Sequence, residues 1–407
     1  MNIKLQKSEL KKKTTLSITG SKSESNRLLL LKALYPQITI RNLSNSDDSQ
    51  LMQKALDSAS DVVDIHHAGT AMRFLTAYFA IQNNRSVIIT GSARMKERPI
   101  KILVDALRDL GADISYEGEK GYPPLKISGK SLIKNQVSLA ANVSSQYISA
   151  LLLVGSQLQD GITISLIGKI TSVPYIKMTL SLLNQIGIKT EFIDNTIRVF
   201  PVDHPIEAEE LTVESDWSSA SYFFSIAALS DVGTEIKLTH YKKHSLQGDS
   251  VLVKLYESFG VVSEFEDSTL ILKKVESNSN DTINFNLSNA PDIAQTIAVT
   301  AFALGVECKL EGLHTLKIKE TDRLEALREE LTKLGASITV TNDSLHLQDN
   351  ISINKNITIA TYNDHRMAMA FAPLALRVPI TIEDADVVSK SYPDFWKDLE
   401  HIGFTFK

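Results

Sequence analysis

The chain has 407 residues, a net charge of −5 and a single cysteine, which leaves room for two or three domains whose cores need no staples. That charge excludes a general nucleic-acid binder, which needs a surplus of Lys and Arg on one face, and one cysteine excludes a disulfide framework. The longest apolar run, Met367 to Leu376, falls far short of the roughly 20 residues of a membrane span. The lysine-rich start, Met1 to Lys13, has no signal-like apolar stretch behind it, so a cytoplasmic protein with no membrane contact is expected.

In chain order, Leu51, Met52, Ala55 and Leu56 mark a first helix between Asp47 and Ile65. A second apolar stripe is formed by Ile100, Leu103, Val104, Leu107 and Leu110, with Pro99 suited to its first turn and Gly111 closing it as a left-handed cap. The same grammar of amphipathic helix, glycine and strand recurs at Gly187 and Gly260. It returns at Gly335, after Leu324, Leu327, Leu331 and Leu334, and at Gly403, after Phe395, Trp396, Leu399 and Ile402. Cys308 lies in the apolar stretch Gly305 to Leu310 and reads as part of a core strand. Six units of roughly 65 to 75 residues follow, too long for a solenoid repeat; they predict mixed α/β units, three to a domain.

Six short segments place cations or hydroxyls where a helix begins: Ser21 to Arg27, Ala68 to Arg73, Arg94 to Pro99, Ser144 to Gln146, Lys319 to Arg323 and Asn363 to Arg366. A cation in the first helical turn opposes the macrodipole by roughly 0.3–1 kcal/mol. Its recurrence asks for an anion, which free backbone N–H groups, hydroxyls and guanidinium forks together would hold. Plainer readings exist for each. Ser23, Ser145 and Ser172 suit N-caps; Arg94, Lys96 and Arg98 suit a solvated turn; Lys319, Glu320, Asp322 and Arg323 suit a surface ion-pair cluster; His365, His66 and His67 suit structural roles. Repetition of one chemistry in different units favours small, multiply anionic ligands. There is no H-E-x-x-H, one cysteine builds no zinc site, and Thr19 to Ser23 lacks the upstream glycine of a phosphate loop. Neither a metal nor a nucleotide is expected.

Taken in order, these segments resemble the 5-enolpyruvylshikimate-3-phosphate synthase family from Ser21 to Asp394, most specifically in Ser21 to Arg27, Gly91 to Ile100, Lys319 to Arg323 and Ala360 to Ala370. The resemblance implies an α/β fold of two similar domains, each of three βαβαββ units in an inverse α/β barrel, facing each other across a cleft. The domains would span 20–212, and 1–19 with 213–407, with hinges near 19–21 and 211–214. Carried over by motif, Lys22, Ser23, Arg27, Ser144, Ser145, Gln146, Ser172, Asp292, Thr315 and Lys319 resemble a shikimate-3-phosphate site. Lys22, Gly69, Arg94, Gln146, Arg323, Arg366 and Lys390 resemble a phosphoenolpyruvate site, which is also where glyphosate acts in the family. Three positions depart from the family pattern: Thr315 and His67 each stand where an asparagine is usual, and Phe74 where a proline often follows the arginine.

The implied reaction protonates the methylene carbon of phosphoenolpyruvate while the 5-hydroxyl of the acceptor loses a proton and attacks, so the site needs both an acid and a base. Asp292 is assigned as the base and Glu320 as the acid, with Lys22 as the alternative relay of one of these protons because a lysine among cations loses its proton more readily. No cofactor is called for, since nothing is oxidised or nucleotide-activated, and a monomer acting on small molecules is expected. The alternatives are transfer to UDP-N-acetylglucosamine, whose enzymes carry a reactive loop cysteine absent here, and a non-catalytic anion-binding relative, which would gain by losing both carboxylates.

Overall fold

A computed structural model of the protein describes residues 1–140, 144–168, 170, 172–276, 282–349 and 352–407. Contacts between Cα atoms divide the chain into two units, Gly20–Val213 and Met1–Thr19 with Glu214–Lys407.

The repeating grammar is visible in the strands. In Gly20–Val213, the strand Val62–Asp64 runs parallel to Ser86–Thr90 with the Gly69–Ala80 helix between them. The Lys101–Leu110 helix then leads into Asp113–Tyr116 and Leu125–Ser128, which close the sheet antiparallel. Gln136–Ala140, Ile162–Ile167, Thr190–Ile193 and Thr196–Val199 repeat this topology, as do two four-stranded sheets of the other unit. Each unit also holds a shorter sheet made across the sequence: Thr39–Arg41 beside Glu210–Thr212 in one, and Ile3–Leu5, Ile380–Ile382 and Ile357–Ile359 in the other. The six βαβαββ units thus appear as four complete and two abbreviated sheets, and the strands close no single barrel among the described residues.

The turns between helix and strand are where the glycines were read. Gly111 ends its helix at φ 110° and Gly335 follows its helix at φ 103°, backbone that a Cβ would strain.

Helices, rather than sheets, occupy the interior. Strand burial alternates, as in Val261–Glu266, so those sheets keep one face outward. By contrast Gly69–Ala80 is buried at every residue but Tyr78, and His365–Phe371 at every residue. Ser145–Gly155 is buried except at Gln146, and Trp217–Ala228 except at Ser218. Both exceptions lie in the first turn. Cys308 is buried on the inner face of the strand Cys308–Glu311, where desolvation pushes its thiol up to about 12. No helix among the described residues is long and apolar enough to cross a membrane.

Candidate active site

In Gly20–Val213 three helices begin at one place. Arg27, one turn into Lys22–Leu34, donates from Nη2 to Ser149 Oγ at 3.1 Å, one turn into Ser145–Gly155. Gln146 Nε2 donates to Thr70 Oγ1 at 3.1 Å at the start of Gly69–Ala80. Ser21 and Ser144 are the N-caps. Ser23 and Ser145 therefore sit inside the first turn with no capping duty, and Ser172 holds its cap position at φ 54° without making a capping bond.

Arg27 is 2% exposed, yet each of its hydrogen bonds ends on a neutral oxygen: Thr179 Oγ1 at 2.8 Å, Ser23 O at 2.7 Å, Ser149 Oγ and Tyr175 O at 3.4 Å. Phe74 and Tyr175 cover its guanidinium, with ring centroids 5.3 and 5.9 Å away. Burial lowers its pKa to about 10, against smaller opposing effects of Tyr175 and Glu24. Lys22 Nζ lies 3.5 Å from Asp48 Oδ2, and His67 Nε2 lies 3.5 Å from the other Asp48 oxygen. Gly69 opens a helix whose N-cap, Ala68, offers no side-chain bond, and the Arg98 guanidinium occupies the space a Cβ would take, 2.5 Å away. Arg94 is exposed on the single turn Ala93–Lys96 and pairs with Glu97 at 2.9 Å.

The other unit gathers opposite charges instead. Arg323, 1% exposed at the start of Arg323–Lys333, bonds three carboxylates: Asp364 Oδ2 at 2.7 Å, Asp292 Oδ1 at 2.8 Å and Glu320 Oε2 at 2.7 Å. Lys319 Nζ approaches Asp292 Oδ1 at 3.3 Å. Arg366 Nη1 donates to the Asp292 carbonyl at 3.2 Å, and its Nη2 lies 3.6 Å from Asp292 Oδ2. Burial alone would raise the Asp292 carboxyl, but Lys319, Arg366 and Arg323 outweigh it and hold it well below the usual carboxylate range. Burial acts to lower the pKa of Arg323, but Asp364, Glu320 and Asp292 raise it above its usual value. Lys390 Nζ donates to Asn363 O at 2.6 Å. Thr315 turns its Oγ1 inward, where it has no hydrogen-bond partner among the described residues.

One unit offers a buried arginine among neutral acceptors, which suits anion recognition, and the other offers an ionised aspartate ringed by cations, which suits proton transfer. The model of the EPSP synthase (3-phosphoshikimate 1-carboxyvinyltransferase) family matches residues 55–399. The chain belongs to the EPSP synthase family. It is 46% identical to the 3-phosphoshikimate 1-carboxyvinyltransferase of Bacteroides fragilis, over 97% of this chain and 96% of that one. Identity to the Haemophilus influenzae protein of that name is 36%, over 95% and 96%. In fold it is like the solved EPSP synthase of Acinetobacter baumannii, with TM-score 0.80 at 21% identity, covering 100% of this chain and 99% of that one. The enolpyruvyl transferase NikO from Streptomyces tendae gives TM-score 0.77 at 14% identity, covering 100% and 98%. The motif reading of family and of a two-domain α/β fold is borne out.

Several residues of this EPSP synthase family member that touch the candidate groups escaped the motif reading. Asp48 reads as an ordinary acid in a first helical turn, capped by Ser46. Asp364 reads as an N-cap, and it is one, accepting from Arg366 N at 2.9 Å, but it also holds Arg323. Phe74 carried no signal beyond its departure from the family pattern, whereas the structure lays it over Arg27.

Proposed function

We propose that this chain transfers the enolpyruvyl group of phosphoenolpyruvate to the 5-hydroxyl of shikimate-3-phosphate, releasing phosphate, in the route to chorismate and the aromatic amino acids. Membership of the EPSP synthase family supports the activity. The observation that carries its chemistry is Asp292, ionised and in contact with Lys319, Arg323 and Arg366.

Shikimate-3-phosphate is assigned to Lys22, Ser23, Arg27, Ser144, Ser145, Gln146, Ser172, Asp292 and Lys319. Thr315 joins them only by turning its hydroxyl outward. Phosphoenolpyruvate is assigned to Lys22, Gly69, Arg94, Gln146, Arg323, Arg366 and Lys390. A depressed pKa makes Asp292 a weak base within its ring of cations alone. Anions seated on the surrounding cations offset those charges, so the aspartate grows more basic when both substrates are bound and then takes the proton of the 5-hydroxyl. Glu320, bonded to Arg323, gains its proton as the phosphoenolpyruvate anion takes over that arginine. It gives this proton to the methylene carbon and takes one back from the resulting methyl group as phosphate leaves, with Lys22 as relay. Arg323, Arg366 and Lys390 stabilise the charge that collects on the departing phosphate and the carboxylate. Neither a cofactor nor a metal enters this scheme, and the enzyme works as a cytoplasmic monomer on small molecules.

The test is phosphate release with phosphoenolpyruvate and either shikimate-3-phosphate or UDP-N-acetylglucosamine as acceptor. Release with the first alone is expected; release only with the second overturns the acceptor assignment, and release with neither overturns the activity.

A further inference from the structure

Asp249 lies in the short 3-10 turn Gly248–Val251, 3% exposed. One carboxyl oxygen, Oδ2, accepts a hydrogen bond from Ser218 Oγ. The other, Oδ1, is buried and has no hydrogen-bond partner among the described residues. The residue caps nothing, since the turn begins at Gln247 and has no side-chain cap. A buried carboxyl with an oxygen left unpaired is costly to keep. Burial raises its pKa first, Asp292 and Asp216 add to that, and Arg366 with the Ser218 bond opposes them, leaving it at about 6. Fold stability by itself would favour a neutral side chain at this position, so the carboxyl calls for another explanation.

That explanation lies one bond further on. Ser218 is the residue of Trp217–Ala228 that is not buried, and its Oγ receives Arg366 Nη2 at 3.2 Å. A serine hydroxyl has one proton. Because that proton goes to Asp249, the lone pairs of Ser218 are left to face Arg366, and the chain runs Arg366 N–H to Ser218 O–H to Asp249 carboxyl. With the Asp292 carbonyl gripping Nη1 at 3.2 Å, Arg366 is held at both ends of its fork. Without the carboxyl, the Ser218 proton is free to turn toward the guanidinium and repel it.

We propose that Asp249 is a positioning residue that works through the Ser218 hydroxyl to set the guanidinium plane of Arg366 for its anion. The inference rests on the assignment of Arg366 to phosphoenolpyruvate. It concerns geometry rather than field strength, because a negative charge behind Arg366 would by itself weaken anion binding.

The test is steady-state kinetics and thermal melting of the full chain carrying Asp249→Asn, Ser218→Ala or both, run beside the wild type at pH 7.5. Asp249→Asn keeps the shape but replaces the charged acceptor by a weaker one. The expected result is a KM for phosphoenolpyruvate raised about five- to twentyfold in each variant, kcat within about twofold, and the KM for shikimate-3-phosphate unchanged. The double variant should be no worse than the worse single one, since both cut one chain. Asp249→Asn should nevertheless melt no lower than the wild type, a combination that a packing role does not produce. A lowered KM for phosphoenolpyruvate in Asp249→Asn would mean that the carboxylate only subtracts from the field of Arg366, and would overturn the proposal. Equal effects on both substrates, or effects that multiply in the double variant, would overturn it as well. Absence of phosphate release by the wild type refutes the activity itself, an outcome distinct from an active wild type with indifferent variants.

Discussion

Two buried arginines, one in each unit, are treated in opposite ways. Arg27 donates to hydroxyls and carbonyls alone and is covered by two aromatic rings. Arg323 is clasped by three carboxylates. A buried cation among neutral acceptors is an unspent charge, which burial makes easier to deprotonate and which an anionic ligand stabilises. A buried cation among carboxylates is already neutralised, and a ligand must rearrange that network to use it. The first arrangement suits tight binding of a preformed anion, and the second suits chemistry in which charge and protons move.

The contrast is sharpest in turnover. Asp292→Asn and Glu320→Gln each remove a carboxyl proposed for proton transfer while keeping its shape, and each should lower kcat by about 100- to 10,000-fold. Binding of shikimate-3-phosphate, followed by calorimetry, should stay within a few fold. Near-normal turnover in both would dissolve the acid-base assignment.

Stability separates the arginines next. Arg323→Met strands three carboxylates and should cost about 3–5 kcal/mol in denaturant unfolding. Arg27→Met strands none, so it should be close to neutral for stability while weakening shikimate-3-phosphate binding at least tenfold. Equal destabilisation by the two changes would show that the difference in their partners has no energetic meaning.

A smaller effect separates two carboxyls near Arg366. The folded pKa of Asp249, about 6, lies above its unfolded value. Its contribution to stability is therefore full below about pH 4 and is lost as pH rises through about 6. Asp292 is depressed, so its contribution is present above about pH 4 and is lost as pH falls below that. Asp249→Asn should then gain about 1–3 kcal/mol relative to the wild type on going from pH 4 to pH 7.5, read from unfolding midpoints at the two pH values. No difference between the two pH values would mean that Asp249 is not raised.

The smallest expected change is at Gly69. A methyl group there meets the end of the flexible Arg98 side chain rather than backbone, so the helix should tolerate it. Gly69→Ala should raise the KM for phosphoenolpyruvate by about two- to tenfold and weaken glyphosate, the longer ligand, by more. Inhibition curves at varied phosphoenolpyruvate check this, and equal weakening of both ligands would move Gly69 away from the phosphate end.

What could be read in advance was local. Helix stripes, closing glycines and cations in first turns depend on residues a few positions apart, and Gly111, Gly335, Lys22 and Arg323 stand where those rules put them. The serines show the limit: Ser23 and Ser145 suited caps, but the caps are Ser21 and Ser144, two residues and one residue earlier. What stayed hidden was long-range. Arg27 finds Thr179, Arg323 finds Asp364 and Asp249 finds Ser218, and no short window contains both partners. The abbreviated sheets were hidden for the same reason, since each joins strands from distant parts of the chain.

One such sheet bears on how the chain is made. Ile3–Leu5 pairs with Ile380–Ile382, Lys13–Ser17 pairs with Glu235–Thr239, and the Lys407 amide reaches Lys4 O at 2.9 Å. Every strand among the described residues of Gly20–Val213, in contrast, finds its neighbour within that span. During synthesis at about 5–20 residues per second, the first strand emerges from the ribosome tens of seconds before its partner exists. The middle of the chain can finish folding in that interval, while the first strand, an unpaired edge, must be kept from pairing elsewhere. Ile3–Leu5 is thus made before Gly20–Val213 but placed after it.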